Sequence, residues 1–243
     1  MNNISSDLVI NVLVAILGAI VLKVWEILKD IIPARRLWGF KSPKKMIICV
    51  SANSHDDDNY PMRPGSGGGQ IRALGLIQKS LERAYKPPDL VRNILLSTDQ
   101  LGRHLERDMV ILGGPEYNQM AKKMMYEVEN SPVRQSDHKI TWHEANQERV
   151  FVSEFDGDRI TKDYGLVLHV ANPYSNGKST VVVFSGCHAY GTLAAAYYFT
   201  EVMLSQKSFG GIKKNNFAMV VSAPVIDGWV PKPKLIHYVE WAN

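Results

Sequence analysis

The sequence contains very little cysteine. Only Cys49 and Cys187 occur among its 243 residues, far apart and each within an apolar run. A disulfide framework or a cysteine-based zinc site needs several suitably spaced cysteines, so this scarcity excludes both and favours a reducing compartment. The run His55–Asp58 is predicted to be a solvated acidic loop, because consecutive residues rarely converge on one ion. We expect no bound metal and no cofactor.

The main part of the chain also lacks net charge. Residues 1–45 hold seven of the 28 Lys and Arg residues but three of the 24 Asp and Glu residues, which accounts for the whole net charge of +4. A protein that binds long nucleic acid needs many phosphate contacts, and a neutral domain supplies few. Long nucleic acid is therefore not expected as a partner. The hydrophobic fraction of 45% fits one folded domain with a full core.

One long hydrophobic run is present near the N-terminus. Residues 8–22 read LVINVLVAILGAIVL, and the apolar stretch continues to Leu28 with Lys23 and Glu26 near its end. As a helix it is about 31 Å long, enough to cross a hydrocarbon core of about 30 Å. We predict a transmembrane helix within residues 1–30. A cleaved signal peptide is a weaker alternative because no basic residue precedes the run, and a membrane-surface helix is weaker because the run has no polar face.

The basic residues of the N-terminal segment predict how the chain is oriented. All seven follow residues 8–22, and the positive-inside rule then places the C-terminal domain in the cytoplasm, anchored by a single pass through the inner (plasma) membrane. Residues 31–45 contain Pro33, Gly39 and Pro43 and are predicted to be a basic juxtamembrane linker that contacts membrane lipid. A small-residue face at Ala15 and Gly18 is compatible with a homo-oligomer.

Residues 46–243 alternate short apolar runs with amphipathic segments. Continuous apolar runs are typical of strands covered on both faces, and the segments between them have helical spacing. The predicted interior strands are Met46–Ser51, Val91–Ser97, Met109–Leu112, Thr180–Ser185 and Phe217–Ser222, with an edge strand at Leu235–Trp241. The predicted helices are Ile71–Tyr85, Tyr117–Glu129 and Thr192–Ser205. A hairpin of Arg149–Glu154 with Tyr164–Val170 is predicted around Asp156–Gly157–Asp158. The predicted fold class is α/β, with a mainly parallel sheet and a hairpin insertion.

Three glycine-rich turns lie where such a sheet would bind a ligand, beyond the carboxyl ends of its strands. They cover residues 65–70, 113–118 and 186–192, and each precedes a predicted helix. Glycine lets backbone N–H groups approach an anion, and a helix N-terminus adds partial positive charge. The predicted ligand-binding residues are Gly67, Gly68, Gly69, Gln70, Gly113, Gly114, Asn118, Asn172, Gly186, Tyr190, Gly191 and Thr192. None of the turns matches a nucleotide-binding fingerprint, so each also fits a plain structural role.

Two polar residues near these turns are candidates for chemistry. Asp163 could act as an acid/base or hold ribose hydroxyls, and Asn118 is a residue that a tight turn would not require. Cys187 precedes His188, which suggests a thiol nucleophile. Adjacent residues seldom bring a thiol and its base within reach of each other, so this role is not expected.

Four segments together resemble an uncharacterised family of bacterial Rossmann-like domains. They read GGQIRALGLIQKSLERAY, DMVILGGPEYN, DYGLVLHVANPY and VVVFSGCHAYGTLAAAYYF, within residues 46–205. Domains of that family are often tethered to membranes or associated with signalling and defence modules, and the GGPxxN turn is distantly similar to one in archaeal S-layer protein domains. The resemblance implies a Rossmann-like fold and marks as its pattern Gly113, Gly114, Asn118, Asp163, Asn172, Gly186, Tyr190, Gly191 and Thr192. It transfers no activity, and an S-layer role would need an exported domain, against the charge distribution.

Three functions are compatible with these features. The preferred hypothesis is a membrane-anchored sensor or effector whose cytoplasmic domain (residues 46–243) binds a small nucleotide-like ligand, and the resemblance suggests bacterial antiviral signalling as its setting. The alternative is a tethered nucleotide or dinucleotide hydrolase or glycosidase, with Asp163 as acid/base and Asn118 orienting the substrate. The third is a tethered scaffold without a ligand. Product analysis separates the first two, because only an enzyme consumes the ligand.

Overall fold

A computed structural model describes residues 6–54, 64–65, 67–86, 90–99, 101–144, 147–205 and 216–242. The predicted acidic loop His55–Asp58 lies outside these residues. The chain begins with α1 (Ser6–Glu26), a π-helical turn (Ile27–Ile31) and α2 (Ile32–Trp38). Helical backbone angles persist through both junctions, so the three pieces form one continuous helix. In the described part of the chain, this helix alone is long and apolar enough to cross a membrane, and its apolar window is not buried against the protein.

The segment predicted to be a linker is instead partly a core helix. Ala34, Leu37 and Trp38 of α2 are buried. The Trp38 ring packs against Phe199 with ring centroids 4.9 Å apart, and its indole N–H donates to Ser80 Oγ at 3.0 Å. Pro33 lies just after the π-helical turn, and the helix continues through it to Trp38, so it does not end the helix.

The rest of the chain alternates strands with helices. The strands are β1 (Ile47–Val50), β2 (Asn53–Ser54), β3 (Pro64–Gly65), β4 (Ile94–Leu96), β5 (Met109–Leu112), β6 (Val133–Ser136), β7 (Lys139–Glu144), β8 (Gln147–Phe151), β9 (Glu154–Asp156), β10 (Arg159–Ala171), β11 (Thr180–Gly186), β12 (Asn216–Pro224) and β13 (Lys234–Trp241). The helices are α3 (Gly68–Tyr85), α4 (Gln119–Glu127) and α5 (Ala189–Tyr197), and α5 continues as a π-helix over Tyr198–Met203. The predicted α/β class is confirmed.

The main sheet has the order β13-β12-β10-β11-β5-β1-β4, with β9 paired to β10. Strands β4, β1, β5 and β11 are parallel, whereas β10, β12 and β13 each run antiparallel to their neighbours. The sheet is therefore mixed, and the prediction of a mainly parallel sheet holds for one half. The other half, around β10, is antiparallel. Strand β10 is joined to β9 and to β11 by short connections, and a parallel pair would need a long crossover.

The predicted hairpin around Gly157 is present, but one of its strands was assigned wrongly. Strand β9 pairs with β10 across this turn. Residues Gln147–Phe151 instead belong to a separate antiparallel sheet, β6-β7-β8. That sheet includes part of the polar stretch 130–148, for which the sequence predicted no element.

The main sheet separates two apolar layers. Helices α2, α3 and α5 cover one face, with Trp38 and Ile77 in that core. Helix α4 and the small sheet cover the other face through Met124 and Trp142. Within β1, Ile48 belongs to the first core and Ile47 to the second, as expected for a strand buried on both faces. This arrangement brings the carboxyl ends of β1, β5 and β11 to one edge, together with the N-termini of α3 and α5.

Candidate functional site

A cleft of about 200 Å³ lies at this carboxyl edge. Its walls come from the start of α3, the turn after β5, the turn between β11 and α5, and the tip of the β6–β7 hairpin. Five of the predicted ligand-binding residues line it: Gly67, Gln70, Gly114, Gly186 and Thr192. The three glycine-rich turns predicted from the sequence therefore meet around one cavity.

The N-termini of α3 and α5 touch each other beside the cleft. A methyl group placed on Gly69 would lie 2.2 Å from the carbonyl oxygen of Ala189, so only glycine permits this approach. Gly68 is exposed, and a methyl group there would meet no described atom within 4 Å. Gly68 and Gly69 were both predicted to contact a ligand, but neither lines the cleft, and Gly69 has a packing role.

Helix α5 begins directly on the backbones of β10 and β11. A methyl group on Gly191 would lie 2.0 Å from the Tyr164 carbonyl oxygen, and one on Gly186 would lie 2.3 Å from the Thr192 nitrogen. Gly165 is equally constrained, since its methyl group would lie 2.2 Å from the Gly191 carbonyl oxygen. Gly191 and its neighbour Tyr190 do not line the cleft, which leaves Gly191 with a packing role. Gly165 is not among the site residues predicted from the sequence.

Asp163 links the start of α5 to the sheet through hydrogen bonds. Its Oδ2 accepts a hydrogen bond from the Gly191 N–H at 2.5 Å, and its Oδ1 accepts from Ser153 Oγ at 2.7 Å and from the Tyr164 N–H at 2.8 Å. The side chain is fully buried. Burial raises the pKa of this carboxyl, and the three hydrogen bonds oppose that change. Such an enclosed group positions the helix, and the geometry does not support the predicted acid/base role.

Both polar atoms of the Asn118 side chain are also hydrogen-bonded within the protein. It is buried at the N-cap of α4, where its Oδ1 accepts from the N–H groups of Met120 at 3.0 Å and Ala121 at 3.1 Å. Its Nδ2 donates to the Leu112 carbonyl oxygen at 2.9 Å. The side chain therefore does not point into the cleft, contrary to the prediction that it orients a substrate.

Asn172 lies at the opposite edge of the sheet. It follows Ala171, whose partner in β11 is the first residue of that strand, Thr180. Its Oδ1 accepts from the Tyr174 N–H, and its Nδ2 donates to the carbonyl oxygen of Leu105 at 2.7 Å. The structure therefore does not bring Asn172 together with the predicted residues that line the cleft, because the antiparallel direction of β10 carries it away from them.

Gly113 allows the end of β5 to approach the neighbouring strand and α3. Its φ is +105°, and a methyl group would lie 2.6 Å from Ser51 Oγ. The Ser51 hydroxyl donates to Gln70 Oε1 at 2.7 Å. Gly113 therefore packs against Ser51 and does not line the cleft, whereas Gln70 does line it.

Gln135 ties the small sheet to the same edge, and the sequence analysis missed it. Its Nε2 donates to the Gly186 carbonyl oxygen at 2.8 Å, and its Oε1 accepts from Ser185 Oγ at 2.6 Å. A methyl group on Gly114 would lie 2.8 Å from the same Nε2. No local pattern indicates such a contact, because 51 residues separate Gln135 from Gly186.

Two histidines stack at the cleft, and the sequence analysis assigned neither to a binding site. The rings of His138 and His188 lie 4.8 Å apart and nearly parallel. His138 occupies the two-residue turn of the β6–β7 hairpin with φ +58°, and its Nδ1 lies 2.9 Å from the Cys187 carbonyl oxygen. That oxygen can only accept, so Nδ1 is the donor in this hydrogen bond. Burial lowers the pKa of His188, and nearby Asp163 opposes the change.

Thr192 presents a hydroxyl that has no protein partner among the described residues. The residue is 2% exposed and lines the cleft. Thr200, farther along the same helical segment, instead donates to the Ala196 carbonyl oxygen at 2.8 Å. The backbone of Thr192 does bond locally, from its N–H to the His188 carbonyl oxygen.

Cys187 contributes to the cleft without being reactive. Its thiol is buried and donates to the Phe151 carbonyl oxygen at 3.3 Å. Burial raises the pKa of this thiol to about 12. A protonated thiol is a poor nucleophile, which agrees with the expectation from the sequence.

No family model matches the chain, and no curated protein matches it either. Among the described residues, no group of three or more His, Cys, Asp or Glu side chains could hold a metal ion. A functional assignment therefore depends on the geometry of the cleft and on how the cleft is connected to the N-terminal helix.

Proposed function

We propose that this protein is a membrane-anchored sensor or effector whose Rossmann-like domain binds a small nucleotide-like ligand on the cytoplasmic side of the membrane. The sequence resemblance suggests bacterial antiviral signalling as the setting, by analogy. In this proposal, ligand binding reorients or clusters the membrane helices of a homo-oligomer. The small-residue face at Ala15 and Gly18 would serve as the helix contact.

The observation that carries the proposal is that α3 connects the cleft to the membrane helix. Its first turn contributes Gln70 to the cleft. Its last turn holds the helix that emerges from the membrane, since Arg35 Nε donates to the Ala84 carbonyl oxygen at 2.6 Å and the Phe40 N–H donates to Tyr85 Oη at 3.1 Å. A helix of 18 residues is about 27 Å long, so one rigid element spans the distance.

The core position of α2 strengthens this connection. Because Leu37 and Trp38 are buried in the domain, the membrane helix has no flexible joint before it meets the core. A shift of α3 on ligand binding must therefore be accommodated by α2 and passed to α1. A mere tether would not require a buried helix at this place.

The hydrolase alternative receives less support. Its two proposed residues, Asp163 and Asn118, are fully buried, and their side chains already bond to backbone and hydroxyl groups. Neither lines the cleft. Binding without turnover by these residues is therefore the better-supported function.

The test uses the full chain in lipid nanodiscs, because a fragment without α2 would lose part of its core. Thermal unfolding is followed with a panel of mono-, di- and cyclic nucleotides, and each sample is then analysed by mass spectrometry. A ligand at 100 times its Kd should stabilise the fold by about 2.7 kcal/mol, which corresponds to a few degrees. Stabilisation with intact ligand supports the sensor, consumed ligand supports the enzyme, and no stabilisation by any compound supports the scaffold.

A further inference from the structure

We propose that the edge of the main sheet opposite the cleft is a docking surface for the anionic lipid headgroups of the leaflet from which α1 emerges, and that docking turns the cleft away from the membrane. This inference rests on the membrane anchoring in the proposed function and does not depend on the ligand proposed there.

The connections that precede the parallel strands all lie at this edge, which we call the amino edge. Ile47, the first residue of β1, pairs with Met109, the first residue of β5, and Met109 pairs on its other side with Val181 near the start of β11. Ile94, the first residue of β4, pairs with Ile48. The residues just before these four strands are therefore neighbours in space.

The amino edge is basic. Each of its connections contributes exposed or half-buried basic side chains. They include Lys44 and Lys45 before β1, Lys86 and Arg92 between α3 and β4, Arg107 before β5, and Lys178 before β11. Among the described residues of these connections, Glu106 is the only exposed acid. Asp108 is buried and accepts hydrogen bonds from the N–H groups of Ser42 and Thr180.

The turns at the carboxyl edge are mostly acidic. They carry Asp99 after β4, Glu116 after β5, Asp137 between β6 and β7, Asp158 between β9 and β10, and Asp227 after β12. The balanced charge of residues 46–243 therefore conceals a polarity from one edge of the sheet to the other. An anionic surface would attract the amino edge and repel the edge that holds the cleft.

The N-terminal helix leaves the domain at the amino edge. Trp38 bonds to Ser80 of α3, whereas Arg35 bonds to Ala84, nearer the end of α3. Helix α2 thus runs antiparallel to α3, and α1 projects beyond the last turn of α3, away from the cleft. Lys86, which follows that turn, interacts electrostatically with Glu26 of α1.

This position brings the basic residues close to lipid headgroups when α1 spans a membrane. Arg35 lies about 10 Å along the helix beyond Leu28, where the apolar run ends. The negative potential of a cytoplasmic leaflet extends over about a Debye length, which is about 8–10 Å at physiological ionic strength. Lysine and arginine side chains within that distance favour contact with anionic lipid.

A basic surface also suits nucleic acid, but the position of α1 favours lipid. Because α1 projects from the middle of the basic residues, a long nucleic acid bound there would have to lie between the domain and the membrane. The lipid headgroups already occupy that space, and they need no further partner.

The test measures how close each edge lies to the headgroups, with the full chain reconstituted in vesicles. A fluorophore is attached to Glu106→Cys at the amino edge or to Gly68→Cys at the carboxyl edge, both of which are exposed positions. Cys49 and Cys187 are buried and should not react. Vesicles of phosphatidylcholine alone are compared with vesicles that also contain phosphatidylglycerol, and a spin label on the headgroups quenches nearby fluorophores.

We expect the Glu106→Cys label to be quenched more strongly in the vesicles that contain phosphatidylglycerol. High salt should abolish this difference, because it screens the charges. The Gly68→Cys label should be quenched little in either kind of vesicle. These comparisons need no charge variant, so they remain decisive if a variant fails to fold.

Two triple variants with the same change in net charge locate the effect. Lys44→Gln, Lys86→Gln and Lys178→Gln together neutralise the amino edge, and Lys139→Gln, Lys232→Gln and Lys234→Gln are the matched control at the carboxyl edge. Each lysine near an anionic leaflet should favour the docked state about fivefold, so the first triple should shift the ratio of docked to undocked protein by on the order of 100-fold. The control triple should dock as the native protein does.

The possible failures are distinguishable. Equal quenching of the Glu106→Cys label in both kinds of vesicle, or equal effects of the two triple variants, would overturn the docking surface. If the native vesicles then capture single-stranded RNA and the amino-edge variant does not, nucleic acid is the partner instead. Extraction of the protein from vesicles by alkaline carbonate would overturn the membrane anchoring together with the docking. Docking as expected, without stabilisation by any nucleotide, would support the surface and overturn only the proposed ligand.

Discussion

Polar residues at the edges of the sheet have two different roles. Some hold the fold together and others line the cleft, and the residue type alone does not distinguish the two. Asp163, Asn118 and Asn172 are polar, lie near glycine-rich turns and would suit a catalytic site, yet all three are buried and bonded to neighbouring backbone groups. Thr192 and His188 are no more conspicuous in the sequence, and they line the cleft. The difference arises from direction and burial, which depend on the finished fold.

Asp163 gives a prediction with a defined pH dependence. Asp163→Asn replaces a carboxylate oxygen by an NH₂ group facing the Gly191 N–H or the Ser153 hydroxyl, so we expect a loss of about 1–3 kcal/mol in the free energy of unfolding. Burial raises the pKa of Asp163 above its ordinary value of 3.8, so the folded state binds the proton more tightly than the unfolded state does. The contribution of this carboxyl is therefore fully present below pH 3.8 and is lost as the pH rises through its raised pKa. Urea unfolding at pH 4 and pH 7 should show a larger difference between native and variant protein at pH 4.

Gly165 gives a prediction about the seating of α5. Gly165→Ala places a methyl group 2.2 Å from the Gly191 carbonyl oxygen, and we expect a loss of about 3 kcal/mol or more because backbone must move. Gly75→Ala in α3 is the control, since its methyl group meets no described atom within 4 Å and should stabilise the helix by about 0.5–1 kcal/mol. Chemical unfolding of both variants checks this. A Gly165→Ala protein as stable as the native one would contradict the close packing described here.

At the scale of elements, the long and periodic segments were predictable and the junctions were not. Helix α3 and the buried strands β1, β5, β11 and β12 lie close to their predicted positions, because continuous apolar runs and helical spacing are local signals. Residues 31–45 were misinterpreted because Pro33 was treated as an interruption of the helix, whereas the interruption predicted at Gly39 is confirmed. Pro33 instead lies in the first turn of α2, and Gly39 ends the helix with φ +64°. The direction of β10 depends on the length of its connections, which local patterns do not encode.

The core role of α2 is testable through its tryptophan. Trp38→Ala should reduce the free energy of unfolding of the domain by about 3–5 kcal/mol, because the ring is fully buried against Phe199. Trp25→Ala, on the exposed part of α1, should leave the domain's stability within about 0.5 kcal/mol of the native value. Urea unfolding in detergent, followed by near-ultraviolet circular dichroism, compares the two. Equal effects of both substitutions would show that α2 is a linker after all.

At the scale of the whole molecule, the α/β class, the apolar N-terminal helix and the meeting of three glycine-rich turns were accessible from the sequence. The antiparallel half of the sheet, the small sheet β6-β7-β8 and the histidine pair were not, since each depends on contacts between distant segments. His138 lies at the cleft, and Gln135 of the same hairpin is hydrogen-bonded to β11. The architecture also places the cleft at one end of α3 and the apolar N-terminal helix at the other.

The proposed orientation of the molecule predicts which compartment the cleft faces. Gly68→Cys introduces an exposed thiol at the cleft end, while Cys49 and Cys187 are buried and should give little background. A membrane-impermeant maleimide should label this variant in inverted inner-membrane vesicles and not in intact spheroplasts. Labelling in spheroplasts would reverse the orientation and place the domain outside the cytoplasm.

The unbroken path from α1 through the π-helical turn to α2 has a consequence for the rotation of α1 about its own axis relative to the domain. Each residue of an α-helix advances the azimuth by about 100°, so residues 27–31 set the direction in which a given face of α1 points when the domain is held still. A π-helical turn holds one more residue per hydrogen-bonded ring than an α-helical turn. Conversion of this turn to ordinary α-helix would therefore rotate the faces of α1 about the helix axis without unfolding any of the domain.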